Sequence, residues 1–240
     1  MTRRRWLADQ VSGDRAFLLG RNAEHLARVL RARAGQEFEI STGDEVRLGR
    51  VLQVAEDRVE FSLGEVVPQR EAARVSLLLA VFKFDRMEWA IEKATELGAA
   101  EIIPVIARRT EAHLAKAAGK RAERWRRIAH EAAQQSRRIA PPNIHDPQPL
   151  KSAFTLSADL RIVLAANESA VSLKEALTGN RKLETGNSVF LAIGPEGGWT
   201  DEELSAFAAA GWTSASLGPT ILRAETAAIA ALAIALAELS

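Results

Sequence analysis

The chain of 240 residues contains no cysteine. Disulfides, thiol nucleophiles and cysteine metal sites are thereby excluded, and a bridge-held secreted scaffold loses its support. No metal finds an alternative ligand set, because His25, His113, His130 and His145 lie in no metal-ligand spacing. Three familiar signatures are missing as well: Gly-x-Ser-x-Gly for a serine hydrolase, G-x-G-x-x-G for a dinucleotide, and Gly-Lys-Ser/Thr for a P-loop. Long apolar runs are absent too. The longest, Ala227–Leu236, is alanine-rich and falls far short of the roughly 20 residues a bilayer requires. Met1-Thr2-Arg3-Arg4-Arg5-Trp6 starts basic, yet no apolar h-region follows, so no signal peptide is expected. A cytoplasmic protein of ordinary globular composition is the expectation, 47% apolar and 26% charged, with no membrane partner. Its length allows one or two domains.

Net charge is small, +1, but unevenly spread. Residues 1–33 carry an excess of five positive charges and residues 108–138 an excess of seven. Arginine outnumbers lysine 25 to 7, and arginine is the better bidentate phosphate partner and base-stacking side chain. Two separated basic segments are read either as solvated helix faces or as a surface for a polyanion.

Residues 1–70 are expected to be β-rich. Gln36–Ser41, Glu45–Ala55 and Arg58–Leu63 cluster or alternate β-formers between the turn pairs Gly43-Asp44 and Glu56-Asp57. One helix, Asn22–Ala32, interrupts them, and Val67-Pro68-Gln69-Arg70 reads as a linker. From residue 73 strands alternate with helices. Strands are expected at Arg74–Phe82, Ile102–Ile106, Arg161–Ala166, Ser188–Ile193 and Ala215–Leu217. Helices are expected at Asp85–Leu97, stopped by Gly98, then Lys116–Ile139, broken by Pro141-Pro142, then Ser172–Leu177, Thr200–Ala210 and Ile221–Leu239. That rhythm implies a mostly parallel sheet covered on both faces. Trp125 is expected to be the core-facing anchor of the basic helix.

The most informative stretch is Ile193-Gly194-Pro195-Glu196-Gly197-Gly198, at the end of the apolar strand Ser188–Ile193. Glycines let a backbone approach a ligand closely, and the helix start that follows offers free N–H groups. Thr200-Asp201-Glu202-Glu203 supplies the capping box of that helix. Pro195 removes one donor and stiffens the loop, while Glu196 disfavours a phosphate and suits a cationic ligand. About 25 residues on, as in adjacent βα units, comes a second corner, Leu217-Gly218-Pro219-Thr220-Ile221-Leu222-Arg223-Ala224-Glu225-Thr226-Ala227. One pocket walled by both corners is expected. Gln135, Ser136 and Arg137, at the end of the basic helix, are either a frayed terminus or an edge that reads bases.

These residues resemble a known family. The two glycine corners are similar to the C-terminal motifs of the RsmE-type methyltransferases of the SPOUT superfamily, which modify N3 of uridine 1498 in 16S ribosomal RNA. Asp85-Arg86-Met87, Glu92-Lys93-Ala94-Thr95-Glu96-Leu97-Gly98, Arg124-Trp125, Glu131-Ala132-Ala133-Gln134-Gln135-Ser136-Arg137 and His25-Leu26-Ala27-Arg28-Val29-Leu30-Arg31 extend the match. The resemblance implies an α/β fold with a SPOUT-type parallel sheet and a deep trefoil knot over residues 73–240, behind a small PUA-like RNA-binding β-barrel domain over residues 1–70. It also implies a homodimer and S-adenosylmethionine held by Glu168, Gly194, Pro195, Glu196, Gly197, Leu217, Gly218, Ile221, Leu222 and Arg223. Gln135, Ser136, Arg137, Arg28 and Arg31 become candidates for contacts to 16S ribosomal RNA or the small subunit. Arg223 is the candidate cation for charge developing on the base, and Glu225 is a candidate proton acceptor or a cap of the last helix. Thr220 and Glu24 depart from the family pattern, where a basic residue and a histidine are usual. Two rival readings stay open: a SPOUT enzyme acting on another RNA position, and a non-catalytic RNA-binding protein of ribosome assembly.

Overall fold

Val59, Phe61 and Leu63 are buried between more exposed neighbours, the period-two pattern of a strand with one face to a core. They belong to a computed structural model that describes residues 5–69, 74–168, 170–179 and 186–239. The chain divides into two compact units, Met1–Arg70 with Ala133–Pro141, and Glu71–Ala132 with Pro142–Ser240.

In the first unit β1 (Arg5–Leu7), β2 (Gln10–Ser12), β3 (Arg15–Leu19), β4 (Glu37–Ser41), β5 (Val46–Val54) and β6 (Arg58–Val66) form one sheet. Its order is β1-β4-β5-β6-β3-β2, and every pairing is antiparallel except β1 with β4. The two edge strands are joined by Ala8 and Asp9 alone, whose amides bond to the carbonyls of Ser41 and Phe17. One extended segment therefore serves both edges, and the sheet curls around Trp6, Leu18, Leu26, Ile40, Val51 and Phe61. Gly49 is required where β5 crosses β4, since a Cβ there would collide with Ile40 Cγ1.

Strands β1 to β3 lie outside the sequence expectation; β1 and β2 have three residues each, too few for alternation to show, and β2 is exposed throughout. The helix expected at Asn22–Ala32 is instead α1 (Gly20–Glu24) continued by a π-helical turn, His25–Val29. Its wide bonds, Leu30 N to His25 O at 3.1 Å and Ala32 N to Leu26 O at 3.1 Å, leave Arg31 at φ +50°. Of the expected linker, Arg70 lies outside the described residues.

The second unit holds β7 (Arg74–Ala80), β8 (Glu101–Ile106), β9 (Asn143–Ile144), β10 (Gln148–Pro149), β11 (Leu160–Leu164), β12 (Ser188–Ile193) and β13 (Thr213–Ala215). Their order is β10-β8-β7-β12-β11-β13 with β9 also on β8, and every pairing among the described residues is parallel. Successive residues of β7 enter different cores. Leu77 and Leu79 meet α2 (Phe84–Leu97), α4 (Ala122–Gln135), α5 (Leu173–Thr178) and α7 (Ala224–Glu238), while Leu78 and Ala80 meet α6 (Asp201–Ala209) and the 3-10 turn Leu150–Thr155. Strands buried on both faces read as continuous apolar runs, which is why this sheet was visible in the sequence. Trp125 is fully buried, its ring edge-on to Phe84 at 6.1 Å. Among the described residues no helix is long and apolar enough to cross a membrane.

Three expected elements need correction. The long helix Lys116–Ile139 is split into α3 (Ala112–Ala117), a 3-10 turn Ala118–Arg121 and α4, with Gly119, a poor helix former, inside the turn. The last strand ends at Ala215 rather than Leu217. The final helix begins at Ala224, because Arg223 is extended at φ −66° and ψ 152° and serves as its N-cap.

Candidate functional site

Strand β12 lies between β7 and β11, although both neighbours precede it in the chain. Strand order switches direction there, and open parallel sheets place ligand crevices beyond the carboxyl ends of strands at such a point. A cavity of about 590 Å³ occupies that position. Its walls are the loops after β11, β12 and β13, with Arg86 from the first turn of α2 and Arg109 from the loop after β8.

The loop after β12 is a tight turn. Gly198 donates from its amide to Pro195 O at 2.8 Å and adopts φ +69°. Trp199 then buries its ring against Phe207, centroids 5.0 Å apart, and its Nε1 donates to Leu164 O at 3.1 Å. A Cβ on Gly194 would lie 3.3 Å from that fixed indole. Arg109 straps the loop: Nη1 donates to Gly197 O at 2.6 Å and Trp199 O at 3.1 Å. The Lys83 amide donates to Glu196 Oε1 at 3.3 Å. Thr200 and Glu203 form the expected capping box, and Glu203 also accepts from the Arg108 amide at 2.7 Å. The Thr200 hydroxyl, aided by the charges of Arg108 and Arg109, holds the Glu202 carboxyl below its ordinary range.

The second corner is more open. Gly218 sits at φ +120°, a conformation side chains rarely adopt, and the Ser216 hydroxyl bridges its amide and carbonyl. Ile221 is 89% exposed at the cavity's edge, an apolar side chain open to solvent. Strand β11 separates β12 from β13, so the corners do not belong to neighbouring strands, yet both line the one cavity.

Gly194, Pro195, Glu196, Gly197, Leu217, Gly218, Ile221, Leu222 and Arg223 are all brought together on this cavity. Glu168 is not in its lining: Oε1 accepts from the amides of Ala170 at 2.7 Å and Val171 at 3.4 Å, while Asn167 beside it faces the cavity. Glu225 is likewise absent from the lining and is buried, with Arg86 Nε 3.8 Å from Oε1. Arg86, Arg109, Asn167 and Trp199 went unassigned in the sequence. The signal for Arg109 was its place just after a parallel strand, where crevice residues gather.

Arg28, Arg31, Gln135, Ser136 and Arg137 belong to the first unit. Arg28 pairs with Glu56, whereas Arg31 and Gln135 are exposed. The end of α4 is not frayed. Arg138 N bonds to Ala133 O at 3.0 Å and Arg137 N to Gln134 O at 3.4 Å, a Schellman cap with Arg137 at φ +59°. Among the described residues, Arg31 and Arg137 are the non-glycine residues with positive φ.

Comparison with known proteins fits this geometry. Residues 69–236 match the family model described as an RNA methyltransferase domain. The chain is 33% identical over 224 residues to ribosomal RNA small subunit methyltransferase E of Bacillus subtilis, covering 90% of this chain and 87% of that protein. The same enzyme of Synechocystis is 35% identical over 233 residues, covering 94% and 74%. Among solved structures, ribosomal RNA small subunit methyltransferase E of Neisseria gonorrhoeae bound to S-adenosyl methionine superposes with a TM-score of 0.79 at 26% identity, covering 96% and 95%. A putative methyltransferase from Legionella pneumophila in complex with the same cofactor gives 0.80 at 27%, covering 99% and 98%. Related along nearly its whole length to these enzymes, the chain belongs to the ribosomal RNA small subunit methyltransferase E family.

Proposed function

We propose that the protein transfers a methyl group from S-adenosylmethionine to N3 of a uridine in 16S ribosomal RNA, at the family's position 1498. The observation that carries this reading is the convergence of both glycine corners and the β11 loop on one cavity of about 590 Å³, a size suited to a small cofactor. The lining fits the group. Gly194 and Gly218 leave backbone accessible, Leu217, Ile221 and Leu222 offer apolar surface, and Glu196 and Asp201 offer negative charge to a cation.

When bound, S-adenosylmethionine supplies an electrophilic methyl on a sulfonium sulfur. Uracil N3 is a weak nucleophile while protonated, so the protein must favour loss of that proton as the N–C bond forms and the S–C bond breaks. Arg223 on the cavity wall stabilises the negative charge that spreads to O2 and O4. Rigid loops align the reacting atoms, a contribution of several kcal/mol in well-oriented systems, on the order of 7. Arg109 holds the glycine loop in that shape, so Arg109→Ala should weaken S-adenosylmethionine binding about tenfold by calorimetry, the equivalent of roughly 1.4 kcal/mol.

Arg28, Arg31, Gln135, Ser136 and Arg137, all of the first unit, contact the RNA in this reading, with residues 1–70 as a PUA-like RNA-binding domain. Backbone strain supports two of them. Left-handed φ favours glycine, and strained residues cluster at functional positions. Arg31→Gly and Arg137→Gly should each keep or raise stability, by up to about 1 kcal/mol, while weakening RNA binding measured by filter retention. Unchanged RNA affinity in both would remove them from the interface.

Insertion of β12 between two earlier strands supports a trefoil knot in residues 73–240. Trp89 and Leu97, exposed on α2, support a face covered by a second copy in a homodimer. A cytoplasmic location follows from the substrate.

The functional test is mass mapping of small-subunit RNA, from a strain lacking the protein, before and after incubation with it and the cofactor. One new methyl on N3 of that uridine is expected. A methyl at another position, or on a ribose 2′-oxygen, would replace the substrate assignment, and no methyl would leave an assembly protein.

A further inference from the structure

Glu225 presents an unsolved problem of stability. Its side chain is 4% exposed in the first turn of α7; among the described residues Oε2 has no hydrogen-bond partner and Oε1 meets only Arg86 Nε, at 3.8 Å. A carboxylate taken out of water is costly, and one loose ion pair does not offset that cost. The helix dipole at α7 favours a negative charge only weakly. Packing alone would be as well served by an uncharged side chain of the same shape.

Arg86 shows the complementary surplus. It projects from the first turn of α2, against the dipole of its own helix, onto the cavity wall. Its side chain is 30% exposed, and among the described residues no group accepts a hydrogen bond from its guanidinium. Glu225 faces the Nε side, so the Nη fork is left over. A planar fork with unused donors matches a planar pair of acceptor atoms carrying negative charge.

We propose that Arg86, beside Arg109 and Arg223, is a further cation of the cavity, binding a planar oxyanion there, and that Glu225 is its positioning residue. The pair rests on the methyl-transfer reading above and deepens it. Two groups in that reaction have the required chemistry: the carboxylate of the cofactor and the anionic O–N–O edge of a pyrimidine losing its N3 proton. Glu225 neutralises the guanidinium from behind and sets its direction before either arrives, which is how preorganised charge acts most strongly. Arg223 flanks the cavity separately, from the residue that caps α7.

The test uses the full-length protein as wild type, Arg86→Gln, Glu225→Gln and the double variant. Calorimetry gives the dissociation constant for S-adenosylmethionine, single-turnover transfer to small-subunit RNA at saturating cofactor gives the chemical step, and thermal midpoints report the fold. Wild-type binding and transfer come first, because their absence defeats the functional reading rather than the pair. Both single variants should lose at least tenfold in the same quantity, and the double variant no more than Arg86→Gln alone. The Glu225→Gln midpoint should stay at or above wild type. Loss in the dissociation constant assigns the fork to the cofactor carboxylate; loss in the chemical step assigns it to the pyrimidine edge. Wild-type behaviour of Glu225→Gln in both quantities overturns the proposal. So do multiplicative losses in the double variant, or losses that follow a fallen midpoint.

Discussion

Arg223→Ala is expected to lower methyl transfer about 10²–10³-fold, the effect of removing one preorganised donor from a developing oxyanion. Arg223 is the N-cap of α7 but makes no side-chain cap hydrogen bond, so the helix loses nothing by its truncation. Its side chain is exposed on the cavity rather than packed. Far-ultraviolet circular dichroism and the thermal midpoint should therefore match wild type. The dissociation constant for S-adenosylmethionine should move much less than the turnover number, because the charge met by Arg223 develops on the base. Near-wild-type turnover would end its role. Arg223→Lys should recover part of the rate, since a point charge replaces a planar one.

Gly194→Val is expected to weaken cofactor binding about 10–100-fold, from overpacking worth roughly 1–3 kcal/mol. The reason is local. A Cβ at this position meets Cε2 and Nε1 of Trp199 at 3.3 Å. That ring cannot swing away without giving up its hydrogen bond to Leu164 O and its packing on Phe207. The glycine turn must then move outward from the cavity. Equilibrium dialysis measures the loss, and an unchanged affinity would mean that the loop after β12 does not cradle the ligand.

Strand β12 and helix α6 were legible in the sequence because each carries its own signal. An unbroken apolar run marks a doubly buried strand, and Thr200 with Glu203 marks a helix start. The first glycine corner was legible for the same reason, as a backbone feature beside a strong strand, and the second through its own Gly218-Pro219 pair beside the short β13. Where signals were short or non-local, the reading failed. Strands β9 and β10 have two residues each and no period to detect. The break between α3 and α4 hides in a single glycine among lysines and alanines. Glu168, expected near the first cofactor loop, turns Oε1 to the amides of Ala170 and Val171, a local contact that its sequence position does not announce. Arg109 reaches carbonyls 88 and 90 positions away, a contact that no local pattern encodes. The insertion of β12 between β7 and β11 is equally tertiary, and it is what brings the three loops to one cavity.

Isothermal titration of the full-length protein with S-adenosylmethionine bears most directly on the cavity's identity. One equivalent should bind per chain with measurable heat, and Gly194→Val should reduce that affinity. No heat from the wild-type protein, or equal binding by the variant, would contradict a methyl-donor site at the glycine corners.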